Sequence, residues 1–259
     1  MKHFLDQLRN LGENLQAGSI LLLDYDGTLV PIAERPELAI LSPHTRELLN
    51  FLSRRFKVAI ISGRSLMEVK KLVGLKMVYY IGNHGLEING PKIRIVKNEA
   101  KRAHPIISEV CRRLREKTVM IKGVIIEDKE LTASVHYRLV AKDELKNLKK
   151  IFKETVKPHV DSGKVRVVKG KKVFEIRPNI DWDKGKAVLW IIDTIDPERK
   201  LMPIYIGDDQ TDEDAFLALK NRGITILVSE KPKKSHAKFF LRNVGEVKIF
   251  LEKMAKTKN

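Results

Sequence analysis

Short, unbroken apolar runs that stop at a polar residue recur along this 259-residue chain, and they limit what it can fold into. Ile20-Leu21-Leu22-Leu23 halts at Asp24, Val58-Ala59-Ile60-Ile61 at Ser62, and Pro203-Ile204-Tyr205-Ile206 at Gly207-Asp208. A strand with one face in water alternates apolar and polar residues. A run without alternation is buried on both faces, as in parallel sheets covered by helices. Val78 to Ile81 and Ile224 to Val228 share this texture. Between the runs lie helical patterns, one opened by Ser42-Pro43 and carrying Leu48, Leu49 and Leu52, another from Leu66 to Val73. Strand, helix, strand implies a right-handed parallel crossover. The expected fold is α/β, with an open, Rossmann-like parallel sheet as its core.

The texture changes between about Lys101 and Pro178. A helix is expected over Ile106–Arg115, strands over Val124–Ile126 and Thr132–Tyr137, a helix over Asp143–Phe152, and strands over Lys164–Val168 and Val173–Ile176. That order suggests a four-stranded sheet backed by two helices. The expected organisation is a core of residues 1–102 and 179–259 interrupted by an α+β cap domain, residues 103–178. The lysine-rich end from Lys253 to Asn259 reads as a frayed tail.

Composition excludes several classes. No apolar run approaches the roughly 18 to 20 residues a membrane helix needs, the N-terminus lacks the apolar stretch of a secretory signal, and Cys111 is the only cysteine. A soluble, cytoplasmic chain acting without a membrane is expected, and a monomer. The net charge of +17 raises the question of a nucleic-acid partner. From His104 to Pro178 there are 19 Lys and Arg against 10 Asp and Glu, so the insert is the more basic part. Its lysines, such as Lys146, Lys149, Lys150 and Lys153, recur at helical spacing beside leucines, as on a solvated helix face. No nucleic-acid partner is expected; a small phosphorylated substrate accounts for the excess. A basic binding module remains the reading of a different class.

Asp24 and Asp26 lie two residues apart just beyond a buried strand, with Gly27 permitting a tight turn. Two carboxylates so close repel, and a divalent cation relieves the repulsion. The same residues also serve as a strand terminator, so this turn alone decides little. Two further strand ends do more: Ser62-Gly63-Arg64 supplies a hydroxyl, and Gly207-Asp208-Asp209-Gln210-Thr211-Asp212 an acidic turn. In an open α/β sheet the ligand binds at the carboxyl ends of the strands, so these three ends describe one site. Asp208, at the strand end, is assigned to metal; Asp212, Glu213 and Asp214 read as acids at a helix start.

In this order the three segments resemble the haloacid dehalogenase-like phosphohydrolases. The resemblance implies Asp24 as nucleophile, Asp26 as general acid and base, Ser62 as holder of the phosphoryl group, and Lys184, in Asp183-Lys184-Gly185-Lys186, as the lysine that follows the lid. Lys186 stands as the alternative. It also implies Mg²⁺, held by Asp24, Asp208 and the backbone carbonyl of Asp26. Within that superfamily, Gly82-Asn83-His84-Gly85-Leu86-Glu87, Ser134-Val135-His136-Tyr137-Arg138 and Gly170-Lys171-Lys172-Val173-Phe174-Glu175-Ile176-Arg177-Pro178 resemble the trehalose-6-phosphate phosphatases. The sugar would be read by Glu127, Arg138, Lys171 and Glu175 in the insert and by Arg64, Asn83 and His84 in the core. If Val173–Ile176 is a strand, Lys171 and Glu175 share a face with Val173. A phosphatase of another phosphorylated sugar, or of a glycosyl glycerate, is the runner-up.

Overall fold

The computed structural model describes residues 1–8 and 18–256. In chain order the elements are β1 (Lys2–His3), β2 (Ser19–Asp24), α1 (Pro43–Ser53), β3 (Lys57–Ile61), α2 (Leu66–Val73), β4 (Tyr79–Gly82), β5 (Glu87–Gly90) and β6 (Ile93–Val96). Then follow α3 (Asn98–Lys117), β7 (Ile125–Asp128), β8 (Ala133–His136), α4 (Leu145–Asp161), β9 (Val165–Gly170) and β10 (Val173–Pro178). The last are α5 (Lys184–Ile195), β11 (Met202–Gly207), α6 (Asp212–Ala218), β12 (Ile224–Val228), β13 (Phe239–Leu241) and α7 (Val244–Lys256). The chain divides into two compact units, Met1–Ile95 with Trp182–Asn259, and Val96–Asp181. No helix among the described residues is long and apolar enough to cross a membrane.

The first unit is built on one sheet of order β1-β13-β12-β11-β2-β3-β4-β5-β6. It is parallel from β1 through β4, and β5 turns back antiparallel on β4. The unbroken apolar runs behave as both-face burial requires. Leu21, Leu23, Val58, Ile60, Ile204 and Ile206 pack on one face with Leu49, Val69 and Phe250 of α1, α2 and α7. Ile20, Leu22, Ala59, Ile61 and Tyr205 pack on the other with Val188, Ile191 and Phe216 of α5 and α6. Alternate residues of a strand point to opposite faces, so each run feeds two cores at once. Full burial of each such side chain contributes about 1.5–3 kcal/mol. The helices begin at capped ends: Ser42 and Ser65 each accept from the amide three residues on, with Pro43 preset for the first turn of α1.

The second unit is an antiparallel sheet of order β7-β8-β10-β9. Ile126, Ala133, Val135, Phe174 and Ile176 lie in its core with Ile107, Val110, Cys111 and Leu114 of α3 and Phe152 and Val156 of α4. Phe152 stacks on Phe174, ring centroids 4.6 Å apart. Both helices exceed their sequence expectations. α3 begins at Asn98 rather than Ile106 and runs through Pro105; its early core contacts are the small Ala100 and Ala103, which leave a faint stripe, and proline reads as a helix start. α4 continues past Phe152 to Asp161, carried by buried Thr155 and Val156. The expected tail is also shorter, since Lys253 to Lys256 are the last turn of α7, whose Met254 is buried; residues 257–259 lie outside the described part.

Candidate active site

Neighbouring strands β11, β2 and β3 bring Asp208, Asp24 and Ser62 to one edge of the first unit's sheet. Asp24 closes β2 opposite Ile61 of β3, and Ile206 of β11 lies opposite Leu23. Beyond β2 the chain turns sharply: Tyr25 O accepts from the amides of Leu29 and Val30, and Gly27 N donates to Val30 O at 2.7 Å. Gly27 has φ +86°, and a Cβ there would lie 2.3 Å from Asp208 Oδ2. Glycine is thus required twice, for the left-handed turn and for the approach of the Asp208 carboxylate.

Lys184 opens α5, whose N-cap is Asp183, its Oδ1 accepting from Lys186 N at 2.8 Å. The lysine is buried, and its Nζ donates to Asp24 Oδ1 at 2.6 Å and to Asp212 Oδ1 at 2.5 Å. Asp212, Glu213 and Asp214 open α6 as expected, but Asp212 has a second role. It is fully buried and also accepts from Tyr205 OH at 2.6 Å, Asp208 N at 2.8 Å and Asp209 N at 3.0 Å. The signal for it was its place in the same acidic turn as Asp208.

Electrostatically this cluster carries too much negative charge. Burial pushes the Asp24 carboxyl well up, Lys184 opposes the shift, and Asp212, Asp208 and Asp209 add to it. Burial works against the charge of Lys184, yet Asp212 and Asp24 outweigh it and hold the ammonium above its usual value. One buried cation faces several carboxylates, so a second, stronger cation fits. Oxygens of Asp24, Asp208 and Asp212 lie within 4.8 Å of one another, and all three residues are buried. An all-oxygen set suits a hard ion such as Mg²⁺. Asp212 is a heavily committed member of the three, its two oxygens accepting four hydrogen bonds.

Ser62 is buried beside this pair. Its amide donates to Ile81 O at 2.9 Å and its Oγ accepts from Arg64 N at 3.1 Å. Asn83 and His84 follow β4 in left-handed conformations, φ 48° and 56°, which cost about 1–3 kcal/mol each for non-glycine residues. They are held there by Asn83 N donating to Arg64 O, His84 N to Ser62 O, and Asn83 Nδ2 to Glu87 Oε2. The structure therefore brings Ser62, Arg64, Asn83 and His84 together. The side chain of Asp26 does not join the Asp24 cluster: Arg64 Nε donates to its Oδ2 at 2.8 Å and Nη2 to its Oδ1 at 2.9 Å.

In the second unit Glu127 and Glu175 both lie opposite Ser134, one on each side. Two residues along β8, His136 Nε2 meets Glu127 Oε2 at 2.5 Å, a partner that sequence separation hid. Glu175 is paired with Arg177, Nε donating to Oε2 at 2.9 Å. The strand starts at Val173 as expected, but Lys171 sits in the turn from β9, so the strand alternation that would put it on the face of Glu175 does not reach it; Arg138 Nη2 donates to its carbonyl at 3.1 Å.

A parallel sheet with an aspartate at the end of β2, a serine just past the neighbouring β3 and a lysine reaching back to the aspartate has haloacid dehalogenase-like architecture. Residues 22–244 match the family model described as trehalose-phosphatase, and the chain belongs to that family. It is 36% identical to trehalose-phosphate phosphatase B of Arabidopsis thaliana over 99% of this chain and 71% of that protein. It is 39% identical to probable trehalose-phosphate phosphatase 3 of Oryza sativa subsp. japonica, covering 92% of this chain and 70% of the relative. Among solved structures, the C-terminal domain of the C. albicans trehalose-6-phosphate phosphatase superposes with a TM-score of 0.83 at 26% identity, covering 97% and 98% of the two chains. A trehalose-6-phosphate phosphatase related protein gives 0.79 at 28% identity, covering 92% and 97%.

Proposed function

We propose that the chain hydrolyses trehalose 6-phosphate to trehalose and phosphate with Mg²⁺, through a phospho-aspartyl intermediate on Asp24. The observation that carries the reading is the contact of Lys184 with Asp24 and Asp212 beside Asp208, in a chain of the trehalose-phosphatase family. A carboxylate attacking a phosphate dianion meets like charge, and Lys184 offsets part of it. Mg²⁺ at Asp24, Asp208 and the Asp26 carbonyl supplies charge neutralisation when bound. Asp24 attacks phosphorus while Asp26 protonates the departing sugar oxygen; Asp26 then takes a proton from the water that cleaves the acyl phosphate. Ser62 holds the phosphoryl group by its hydroxyl. The insert serves as cap, its Glu127, Arg138, Lys171 and Glu175 reading sugar hydroxyls with Asn83 and His84 of the core, since carboxylates and cations suit a polyol.

Phosphate release from a panel of sugar phosphates with Mg²⁺ tests the substrate. Strong selectivity for trehalose 6-phosphate is expected, and a flat profile overturns the assignment. Asp24→Asn is expected to abolish release with the fold retained; turnover by that variant removes the covalent mechanism.

A further inference from the structure

Arg64 is committed within its own unit more completely than a sugar contact would be. Its side chain is 8% exposed. Nε and Nη2 grip the two oxygens of Asp26 at 2.8 and 2.9 Å, Nη2 also donates to Pro36 O at 2.8 Å, and Nη1 pairs with Glu68. The guanidinium carbon lies 5.5 Å from the ring centroid of Tyr25, the residue between Asp24 and Asp26. At its other end, the Arg64 amide donates to Ser62 Oγ. That bond occupies an acceptor site on the hydroxyl and leaves its proton to point elsewhere.

From these contacts we infer that Arg64 is a positioning residue: its fork fixes the Asp26 carboxylate and its amide fixes the Ser62 hydroxyl. The inference rests on the proposed phospho-aspartyl chemistry and assigns Arg64 to its second half. A carboxylate gripped at both oxygens by a planar fork is held in one orientation. In that half, water oxygen bonds to phosphorus, one water proton passes to Asp26, and the bond from phosphorus to Asp24 breaks, releasing phosphate. Asp26, now protonated, donates that proton to the next leaving alcohol. Glu68 is suited to brace Arg64: it lies on the first turn of α2, whose N-cap Ser65 accepts from the Glu68 amide. Burial works against the guanidinium charge, but Asp26 and Glu68 hold it above its usual value.

Arg64→Lys keeps the charge and removes the fork. With Mg²⁺, its turnover is measured on trehalose 6-phosphate and on 4-nitrophenyl phosphate, which has no sugar. kcat is expected to fall about 100-fold on both, the scale of a misplaced general base, with KM for trehalose 6-phosphate within about threefold. Rapid-quench experiments should trap ³²P on the protein well above the wild-type level. A residue serving only stability moves the melting midpoint without trapping phosphoenzyme, and that result overturns the inference. So does a raised KM for trehalose 6-phosphate with kcat on 4-nitrophenyl phosphate preserved, which would make Arg64 a sugar contact. Should Arg64→Lys fail to fold, Glu68→Gln keeps the question open to test: the same pattern with a smaller loss supports the inference, and wild-type kinetics refute it. If the wild-type chain itself releases no phosphate from either substrate, the functional reading fails rather than the assignment of Arg64.

Discussion

Asp212 carries more contacts than any sequence rule assigns to an acid at a helix start. Its two oxygens join an ammonium from α5, a phenol from β11 and two amides from the turn that follows β11, so it ties Lys184 to the strand end that bears Asp208. Breaking a buried charged network by removing one partner costs about 3–5 kcal/mol; here Lys184 would keep only Asp24, and three further donors would lose their acceptor. Asp212→Ala is expected to lose that much stability in urea denaturation. Tyr205→Phe, which deletes a single bond to a charged acceptor, should lose about 1.5–3 kcal/mol. Equal losses would mean that the pair with Lys184 adds nothing beyond the phenol. Legibility differs at this scale. Asp24, Ser62 and Asp208 stand at strand ends that are visible as the limits of apolar runs, whereas Lys184 meets Asp24 across 160 positions and Glu127 meets His136 across a strand pair. Only the fold decides such meetings.

Two glycines of the first unit separate conformational strain from steric approach at the level of turns. Gly27, between β2 and the loop that follows, has φ +86° and no room for a Cβ against Asp208; Gly74, the C-cap of α2, has φ +69° and nothing within 4 Å. Alanine at Gly74 meets left-handed strain alone, about 1–2 kcal/mol, and should leave phosphate release unchanged. Alanine at Gly27 must also displace the Asp208 carboxylate. A Mg²⁺ titration of activity is expected to show at least a tenfold higher half-saturating concentration for Gly27→Ala, and wild-type behaviour would detach Asp208 from the cation. Elements were legible in proportion to their apolar content. The strands buried on both faces were read within a residue or two. β5 and β6 carry Glu87, Asn89 and Arg94 at the end of the sheet, and β1 and β13 are two and three residues long; none has a pattern strong enough to separate from loop. The end of α4 was lost because Thr155 and Val156 are poor helix signals, although burial keeps them helical.

Each compact unit has a core of its own, and the rare residues divide between them so that each can be followed separately. Trp182 and Trp190, the two tryptophans, fall in the first unit, where Trp182 Nε1 donates to Gly85 O at 2.9 Å and both rings pack against the α5 side of the sheet. Cys111, the one cysteine, is buried in the second, on α3. Burial and the nearby Asp128 push its thiol up to about 12 against the opposing effect of Arg115, and the thiolate is the reactive form. At pH 8 the native chain should therefore resist alkylation until the second unit opens. If Mg²⁺ binds at Asp24 and Asp208, it stabilises the unit that contains them by RT ln(1 + [L]/Kd), about 2.7 kcal/mol at a hundredfold excess over Kd. Tryptophan fluorescence in urea should then show a midpoint that rises with Mg²⁺ and returns on chelation, while the urea concentration at which Cys111 becomes alkylated stays fixed. A parallel shift of both signals would mean that the two units unfold as one, and no shift in the fluorescence would remove the cation from Asp24 and Asp208.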